Sequence, residues 1–128
     1  MDAKEGCLAL LARNITVHLQ NGDPKSDIYT VPVGKEMIVV GVSIRNPTVS
    51  LAGGTDFDLG DGANADTWKT AVDLSSLVNV DTDYIYITND NTRITIFNAG
   101  DVFGIKPVTG AVGNADAKAD LIGYLFDA

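Results

Sequence analysis

Short segments in which apolar and polar residues alternate one by one recur along most of this chain. The alternation is clear in residues 14–20, where Ile15, Val17 and Leu19 are the apolar members, and again in residues 84–88. Because successive side chains of an extended chain point in opposite directions, a period of two predicts a β-strand with one buried face. Gly, Asn, Asp and Pro residues punctuate the sequence between these segments, so the pattern argues against a helix bundle.

The spacing of the segments predicts an all-β domain. About eight strands at intervals of about 8–12 residues are typical of an antiparallel two-sheet β-sandwich or barrel. The predicted strands are 14–20, 28–33, 37–45, 55–59, 84–88, 93–97, 102–107 and 115–126, with a further short strand at 48–51. Three of them, from 84 to 107, are expected to form a meander with hairpin turns at 89–91 and 98–101.

The most apolar predicted strand covers residues 37–45. On a regular strand one of its faces carries Ile38, Val40, Val42 and Ile44, and the start of the other carries Met37 and Val39. Apolar residues on both faces predict a central strand that is covered on both sides at one end, either by another sheet or by a neighbouring subunit.

Residues 64–72 are the segment whose pattern favours a helix. Asn64 or Asp66 is suited to cap its N-terminus, and Trp68, Ala71 and Val72 fall at the i, i+3 and i+4 spacing of one helix face. We therefore expect one short helix here, anchored to the sandwich by Trp68.

A chain of 128 residues is long enough for one domain with its own core. We expect a single β-sandwich domain over residues 14–128, preceded by an N-terminal arm, residues 1–13. The apolar run in that arm, Leu8 to Ala12, is too short for a signal peptide or a transmembrane segment, so we expect the chain to be made in a cytoplasm. Cys7 is the only cysteine, so no intrachain disulfide is available.

The formal net charge is −8, from 17 acidic and 9 basic residues. The average electric field of such a chain repels other polyanions, so nucleic acid and anionic membranes are not expected as partners. The same charge keeps free copies soluble before any assembly.

Cys7 and His18 are the residues to consider for nucleophilic catalysis, because the chain has one of each. A Cys–His pair needs hydrogen-bond contact and a third group that orients the base. His18 falls on the polar face of the first predicted strand, and Cys7 falls in the segment before it. We therefore expect a surface histidine, an incidental thiol and no catalytic residue. One His and one Cys also cannot supply the ligands of a zinc site.

Asp56, Asp58 and Asp61 form an acidic stretch whose oxygens suit calcium. The spacing departs from the EF-hand pattern, since the glycines are misplaced and no Glu follows at the required distance. A solvated strand face that ends in a glycine turn is therefore the favoured interpretation, with Phe57 on the other face. No cofactor is expected, and calcium is the candidate metal if there is one. Paired carboxylates drawn from this group, as in a small glycoside hydrolase, are the weakest alternative.

Tyr84 and Tyr86 share one face of a predicted strand. Aromatic rings at this spacing suit either saccharide stacking or contact with another subunit, and inter-subunit contact or core packing is the commoner use. Trp68 is the third aromatic candidate for a sugar-binding surface.

Several motifs occur in a recognisable order. The apolar strand 35–45 precedes Gly53-Gly54-Thr55, the segments 57–62 and 65–68, a strand that starts at Tyr84, a turn at 98–101 and a closing strand that ends at Phe126. This order resembles small jelly-roll structural proteins of tailed bacteriophages, which act as head-decoration, head-fibre or tail accessory subunits. The resemblance implies a jelly roll with no catalytic centre, in a homotrimer attached to other virion proteins. Residues 1 to about 34 match no pattern of these proteins, and we expect the arm to dock to a capsid or to a neighbouring subunit.

The sequence leaves three hypotheses. The first is a non-enzymatic virion structural protein, made in the host cytoplasm, that self-associates and binds a capsid or tail surface by shape complementarity. The second is a carbohydrate-binding, lectin-like module that uses the aromatic candidates, with calcium at the acidic stretch. The third is a small hydrolase.

Overall fold

The computed structural model describes residues 7–89 and 94–128, and this part of the chain forms nine β-strands and no helix. The strands are β1 (Ala9–His18), β2 (Ser26–Thr30), β3 (Lys35–Arg45), β4 (Asp56–Gly60), β5 (Lys69–Val72), β6 (Tyr84–Thr88), β7 (Ile96–Asn98), β8 (Val102–Thr109) and β9 (Asp116–Asp127). The prediction of an all-β domain is confirmed, and the predicted strand 84–88 coincides with β6. The short strand expected at 48–51 is irregular chain.

The strands form two antiparallel sheets. The order in the five-stranded sheet is β1-β9-β3-β6, with β7 also paired to β3, and the order in the four-stranded sheet is β2-β8-β4-β5. Strands β1 to β4 belong to the two sheets in turn, so each of the connections between them crosses from one sheet to the other. Buried side chains from both sheets form one hydrophobic cluster, so the sheets pack across a shared core.

Aromatic rings fill the middle of that core. Phe103 on β8 meets Trp68 edge-on at a centroid distance of 5.7 Å and Phe97 on β7 edge-on at 5.5 Å. Because β7 and β8 belong to different sheets, the contact between Phe97 and Phe103 joins the two layers. Edge-to-face pairs of this kind add about 0.5–1.5 kcal/mol beyond the area they bury.

A β-bulge in β3 changes which residues of the apolar strand face the core. Its register against β9 shifts between Val39 and Gly41. Met37 and Val39 are therefore buried on the same side as Val42 and Ile44. The assignment of Ile38 and Val40 to the face of Val42 and Ile44 is wrong, because the extra residue of a bulge reverses the alternation beyond it. The bulge also divides the strand's other partners, since β7 pairs with residues 36–38 and β6 with residues 41–45.

The helix expected over residues 64–72 does not form. Residues 61–68 make turns and bends, and β5 then pairs with β4. Ala65 and Ala71 have φ angles of 51° and 57°, which no right-handed helix contains. The pairing begins where the backbone N–H of Trp68 donates to the carbonyl oxygen of Leu59. The turn after β4 brings the chain back along that strand, so sheet hydrogen bonds replace those of a helix.

The predicted meander over residues 84–107 is wrong, because β6 and β7 both pair with β3 and β8 lies in the other sheet. The hairpin turn placed at 89–91 and the strand start at Arg93 fall largely outside the described residues.

In the predicted arm, residues 9–13 form the first half of β1, and residues 1–6 are outside the described part. No helix able to cross a membrane occurs among the described residues.

Candidate docking face

Tyr84 and Tyr86 lie on the outer face of the five-stranded sheet and are 75% and 46% exposed. In the sheet Tyr84 is opposite Arg45, and Tyr86 is opposite Ser43. The Tyr86 ring leans across Gly41, because a Cβ built at Gly41 would lie only 2.1 Å from the Tyr86 hydroxyl oxygen. The absence of a side chain at Gly41 therefore lets the ring of Tyr86 lie along the sheet.

Apolar side chains continue from Tyr86 across this outer face. Ile38 has Ile96 of β7 on one side and Tyr124 of β9 on the other. Two residues before Tyr124 on β9, Ile122 lies opposite the exposed Leu10 of β1. We call this surface the apolar face, and its members are Leu10, Ile38, Tyr86, Ile96, Ile122, Tyr124 and Phe126.

Members of the apolar face remain open to solvent although they neighbour one another. Leu10 and Ile96 are 54% and 53% exposed, and the others on β3 and β9 are half-buried. The rings of Tyr124 and Phe126 lie side by side with centroids 6.1 Å apart and planes at 31°. Single exposed apolar residues are ordinary on protein surfaces, whereas a contiguous set across five strands indicates a contact surface.

An ion pair with little exposure closes one end of the apolar face. Arg45 Nε donates to Asp120 Oδ2 at 2.8 Å, and the Asn14 backbone N–H donates to Asp120 Oδ1 at 3.0 Å. Arg45 Nη2 also donates to Asn14 Oδ1. These hydrogen bonds, above all those from Arg45, lower the pKa of Asp120 although burial acts in the opposite direction. The group ties β1, β3 and β9 together.

Two further polar contacts lie beside that ion pair. Lys118 Nζ donates to Thr16 Oγ1 at 2.7 Å, and His18 Nδ1 lies 2.7 Å from Asp116 Oδ1. The hydrogen bond with Asp116 raises the pKa of His18 above its usual value, and the carboxylate's charge adds to the effect. His18 is thus part of a surface ion pair at the end of β1.

The other end of the apolar face carries a carboxylate. Glu36 is opposite Phe126 and shares its outer face, whereas Lys35 and Asp127, joined by a hydrogen bond of 2.5 Å from Nζ to Oδ1, fall on the strand face of Met37 and Leu125. Arg45 and Lys118 are therefore offset on this side by Asp116, Asp120 and Glu36, so its charge is close to balanced. The excess of acidic residues lies elsewhere.

The outer surface of the four-stranded sheet and its loops carries much of that excess. Asp56 and Asp58 lie on the outer side of β4, while Phe57 faces the core, as the alternation predicts. Burial raises the pKa of Asp58, although the Ala71 backbone N–H donates to its Oδ1 at 3.2 Å. An open cavity of about 480 Å³ beside Asp58 also includes Asp66 and Lys106 in its wall.

The three calcium candidates do not converge on one point. Asp61 closes the turn after β4 by two hydrogen bonds with the Thr67 hydroxyl. Thr67 Oγ1 donates to Asp61 Oδ1 at 2.5 Å, and the Asp61 backbone N–H donates to Thr67 Oγ1 at 2.9 Å. Within residues 7–89 and 94–128, no three His, Cys, Asp or Glu side chains are grouped closely enough to hold a metal ion. Asp58 and Asp61 instead make hydrogen bonds that fix the path of the chain from β4 to β5.

The remaining candidates are also placed apart from one another. Cys7 is exposed just before β1, and His18 is the last residue of that ten-residue strand. At about 3.3 Å per residue the strand separates them by about 30 Å.

Trp68 is 2% exposed, and its Nε1 donates to the Val39 carbonyl oxygen at 3.2 Å, so the ring belongs to the core. Among the aromatic candidates, the tyrosines are the ones at the surface.

Sequence reasoning missed most of the apolar face. Its members on β9 are Ile122, Tyr124 and Phe126, within an apolar run that has hydrophobic residues on both strand faces. That run did carry a signal. A strand with only one buried face has polar residues on its other face, whereas this run has apolar residues on both. The position of Ile38 on this face was hidden by the bulge in β3.

Comparison with known proteins shows a shared fold. No protein-family model matches the chain, and no curated protein sequence is similar to it. A structural comparison finds a similar chain in the solved structure described as "Cyanophage Pam1 capsid asymmetric unit". The alignment covers 100% of this chain and 90% of that one, with a TM-score of 0.57 and 15% sequence identity. The chain thus shares its fold, over its whole length, with a chain of a bacteriophage capsid structure.

Proposed function

We propose that this chain is a non-enzymatic structural protein of a bacteriophage virion. The observation that carries the proposal is the similarity of the whole chain to a chain of a cyanophage capsid structure. The surface chemistry supports it, since the nucleophile and metal-ligand candidates are dispersed while apolar side chains gather on one sheet face. The chain acts through contacts between protein surfaces.

The strand order supports a jelly-roll architecture for this protein. A jelly roll winds paired Greek keys into two sheets, and its chain passes repeatedly from one sheet to the other. The orders β1-β9-β3-β6 and β2-β8-β4-β5 fit that winding, with β7 added to β3. A closed double-sheet domain of this kind offers rigid outer faces for docking.

In the virion the chain contacts other virion proteins and further copies of itself. Its place is a head-decoration, head-fibre or tail accessory position, reached after synthesis in the host cytoplasm. The resemblance of its motifs to phage jelly-roll subunits implies a homotrimer. The arm, residues 1–13, lies outside that resemblance, and its role in this proposal is to dock to a capsid or to a neighbouring subunit. Neither a cofactor nor calcium is required for such a role.

Particle composition tests this proposal. Particles from a phage that encodes the chain are purified by density gradient, washed in high salt and quantified by mass spectrometry. We expect a fixed number of copies per particle that survives the wash, and electron microscopy of the same particles then locates the chain on head or tail. Particles that lack the chain, with all copies left in the soluble fraction, would contradict the proposal.

A carbohydrate-binding, lectin-like module is the second candidate, and the exposure of Tyr84 and Tyr86 on one face favours it. Oligosaccharides released from host cell surfaces serve as the probe in isothermal titration calorimetry, with calcium and with EDTA. This function requires binding that falls when both tyrosines are replaced by alanine. Lack of binding to the unmodified chain under both conditions removes the candidate.

A further inference from the structure

We propose that a second copy of this chain covers the apolar face, stacked face to face with the strands reversed end for end. The proposal deepens the virion role by naming the surface used for self-association and its partner. It begins from the row of Ile96, Ile38 and Tyr124, which crosses three strands on the side of the sheet away from the core. In the single chain this row borders solvent.

The apolar face is large enough for a specific interface. Its rows extend from Glu36 to Arg45 along β3 and from β6 and β7 across to β1. With about 3.3 Å per residue and about 4.8 Å between strands, this is roughly 30 Å by 19 Å, or about 600 Å² in projection. A standard interface buries about 800 Å² of accessible surface per partner, and the accessible area of the face exceeds its projected area because side chains stand out from the sheet.

Charge balance identifies the occupant as another copy. A molecule of net charge −8 is repelled by its own copies unless the surfaces that meet are close to neutral. On this side Arg45 pairs with Asp120, and the charge of Glu36 at one end is offset by that of Lys118 at the other. On the other side, the segment from β4 to β5 presents mainly carboxylates. These are Asp56, Asp58, Asp61, Asp66 and Asp73, against Lys69. Two copies therefore meet with least repulsion through the apolar face.

The two ends of the face differ in the sign of their residual charge, and this sets the direction of stacking. Lys118 bonds to a threonine hydroxyl rather than to a carboxylate, and Arg13 adds positive charge near Asp120. At the other end Glu36 adds a negative charge, since Lys35 and Asp127 lie on the opposite strand face. Reversed stacking puts the positive end of each copy on the negative end of its partner, so both contacts are attractive.

The contact is self-complementary and closes as a twofold dimer, because each copy uses the same surface. It therefore predicts two copies in solution and not the three that the resemblance implies. The Tyr86 ring that lies along Gly41 and the neighbouring rings of Tyr124 and Phe126 on β9 present aromatic surface to the partner. Rigid aromatic side chains of this kind lose little entropy on contact and are enriched among the residues that dominate binding energy.

Sedimentation equilibrium of the full chain tests the interface, with Ile96→Lys as the disruptive variant. Ile96 and Val108 are 53% and 52% exposed on strands of opposite sheets, so Val108→Lys is a matched control for surface charge and folding. We expect about twice the monomer mass of 13.5 kDa for the unmodified chain and for the control. The dissociation constant of Ile96→Lys should rise more than about tenfold, as for a residue inside an interface. A monomeric unmodified chain, or an oligomer that Ile96→Lys leaves unchanged, would overturn the inference.

A charge exchange tests the direction of stacking. Lys118→Glu and Glu36→Lys alone should each weaken the dimer, and the chain with both changes should regain affinity because the two residues meet across the reversed interface. Failure of the double variant to recover would refute reversed stacking. The virion role fails separately, through particles that lack the chain, so a monomer found at fixed copy number on particles refutes this interface alone.

Discussion

Among the ion-paired carboxylates of the described residues, Asp120 has the least exposed side chain. Its side chain is 12% exposed, and it accepts hydrogen bonds from Arg45 and from the backbone of Asn14. Asn14 has a φ of 57°, a left-handed conformation that asparagine tolerates better than most residues. One carboxylate therefore fixes a backbone irregularity of the edge strand and an arginine of the central strand.

Replacing Asp120 by Asn should lower the free energy of unfolding by about 2–3 kcal/mol near pH 7, since it leaves the Arg45 guanidinium without a carboxylate partner. The folded-state pKa of Asp120 is lowered. Its ionised form therefore stabilises the fold above the pKa of the unfolded chain, and this contribution is lost as pH falls through the folded pKa. Urea unfolding measured from about pH 6 to pH 2 should show a smaller loss in Asp120→Asn than in the unmodified chain.

Asp127→Asn is the control for this comparison, because the pair of Lys35 and Asp127 is much more exposed and should contribute less than about 1 kcal/mol. Asp73 and Asp83, whose pKa values are also lowered by local hydrogen bonds, titrate in every variant and cancel. Equal losses of stability in both variants would refute the special role of Asp120.

His18 gives a second test at the residue scale, because it is the only histidine and its resonances need no assignment. Its pKa should lie above 6.5 in the folded chain, since the hydrogen bond to Asp116 favours the charged ring. A proton NMR titration of Asp116→Asn should give a lower pKa for His18. An unchanged value would show that the contact does not persist in solution.

At the scale of elements, glycines allow the central strands β3 and β9 to pack closely. A Cβ added at Gly123 would lie 2.3 Å from the carbonyl oxygen of Ile38, which is backbone and cannot move independently. A Cβ added at Gly41 would meet the tip of the Tyr86 ring, which can rotate towards solvent. The same substitution therefore has different consequences at two glycines of adjacent strands.

Gly123→Ala should lower the free energy of unfolding by about 2–3 kcal/mol, because the strands must separate to accept the methyl group. Gly41→Ala is the matched control and should cost less than about 1 kcal/mol, since only the Tyr86 ring is displaced. Chemical denaturation of both variants measures the difference. Similar losses at the two positions would contradict the close approach of β9 to the Ile38 carbonyl.

At the scale of the whole molecule, the edge strand β1 joins the predicted arm to the domain. Leu11 and Ala12 pack against the core although they lie within residues 1–13. The register of β1 shifts between Leu10 and Ala12 and again before Ile15, and such bulges disturb the free edge of a sheet and hinder its pairing with other chains. Self-association through the apolar face is therefore favoured over strand addition at this edge.

Removal of residues 1–13 should lower the free energy of unfolding by about 2 kcal/mol or more, because it uncovers the core beside Leu121 and deletes buried apolar area. Removal of residues 1–8 leaves β1 whole and should change stability much less. Thermal unfolding of the two truncated chains measures the difference. Equal stability of both would show that the first half of β1 does not support the fold.

The sequence by itself determined where most strands lie. Alternation is a local property, set by how successive side chains of an extended backbone point, so β4 and β6 are readable without knowledge of their partners. Phe57 and Leu59 are both found buried, as the alternation predicts. The prediction from sequence was wrong at residues 64–72, because the spacing of Trp68, Ala71 and Val72 fits a helix face and a turn followed by a strand equally well.

Only the tertiary structure decided which strands are neighbours and which side chains share a surface. The bulge at Val40 depends on the register of β3 against β9, and the sheet to which β8 belongs depends on crossovers between layers. The apolar face combines residues from 10 to 126, brought together by pairing between strands far apart in the chain. Such pairing is fixed by the packing of the whole core, so no local pattern of residues specifies it.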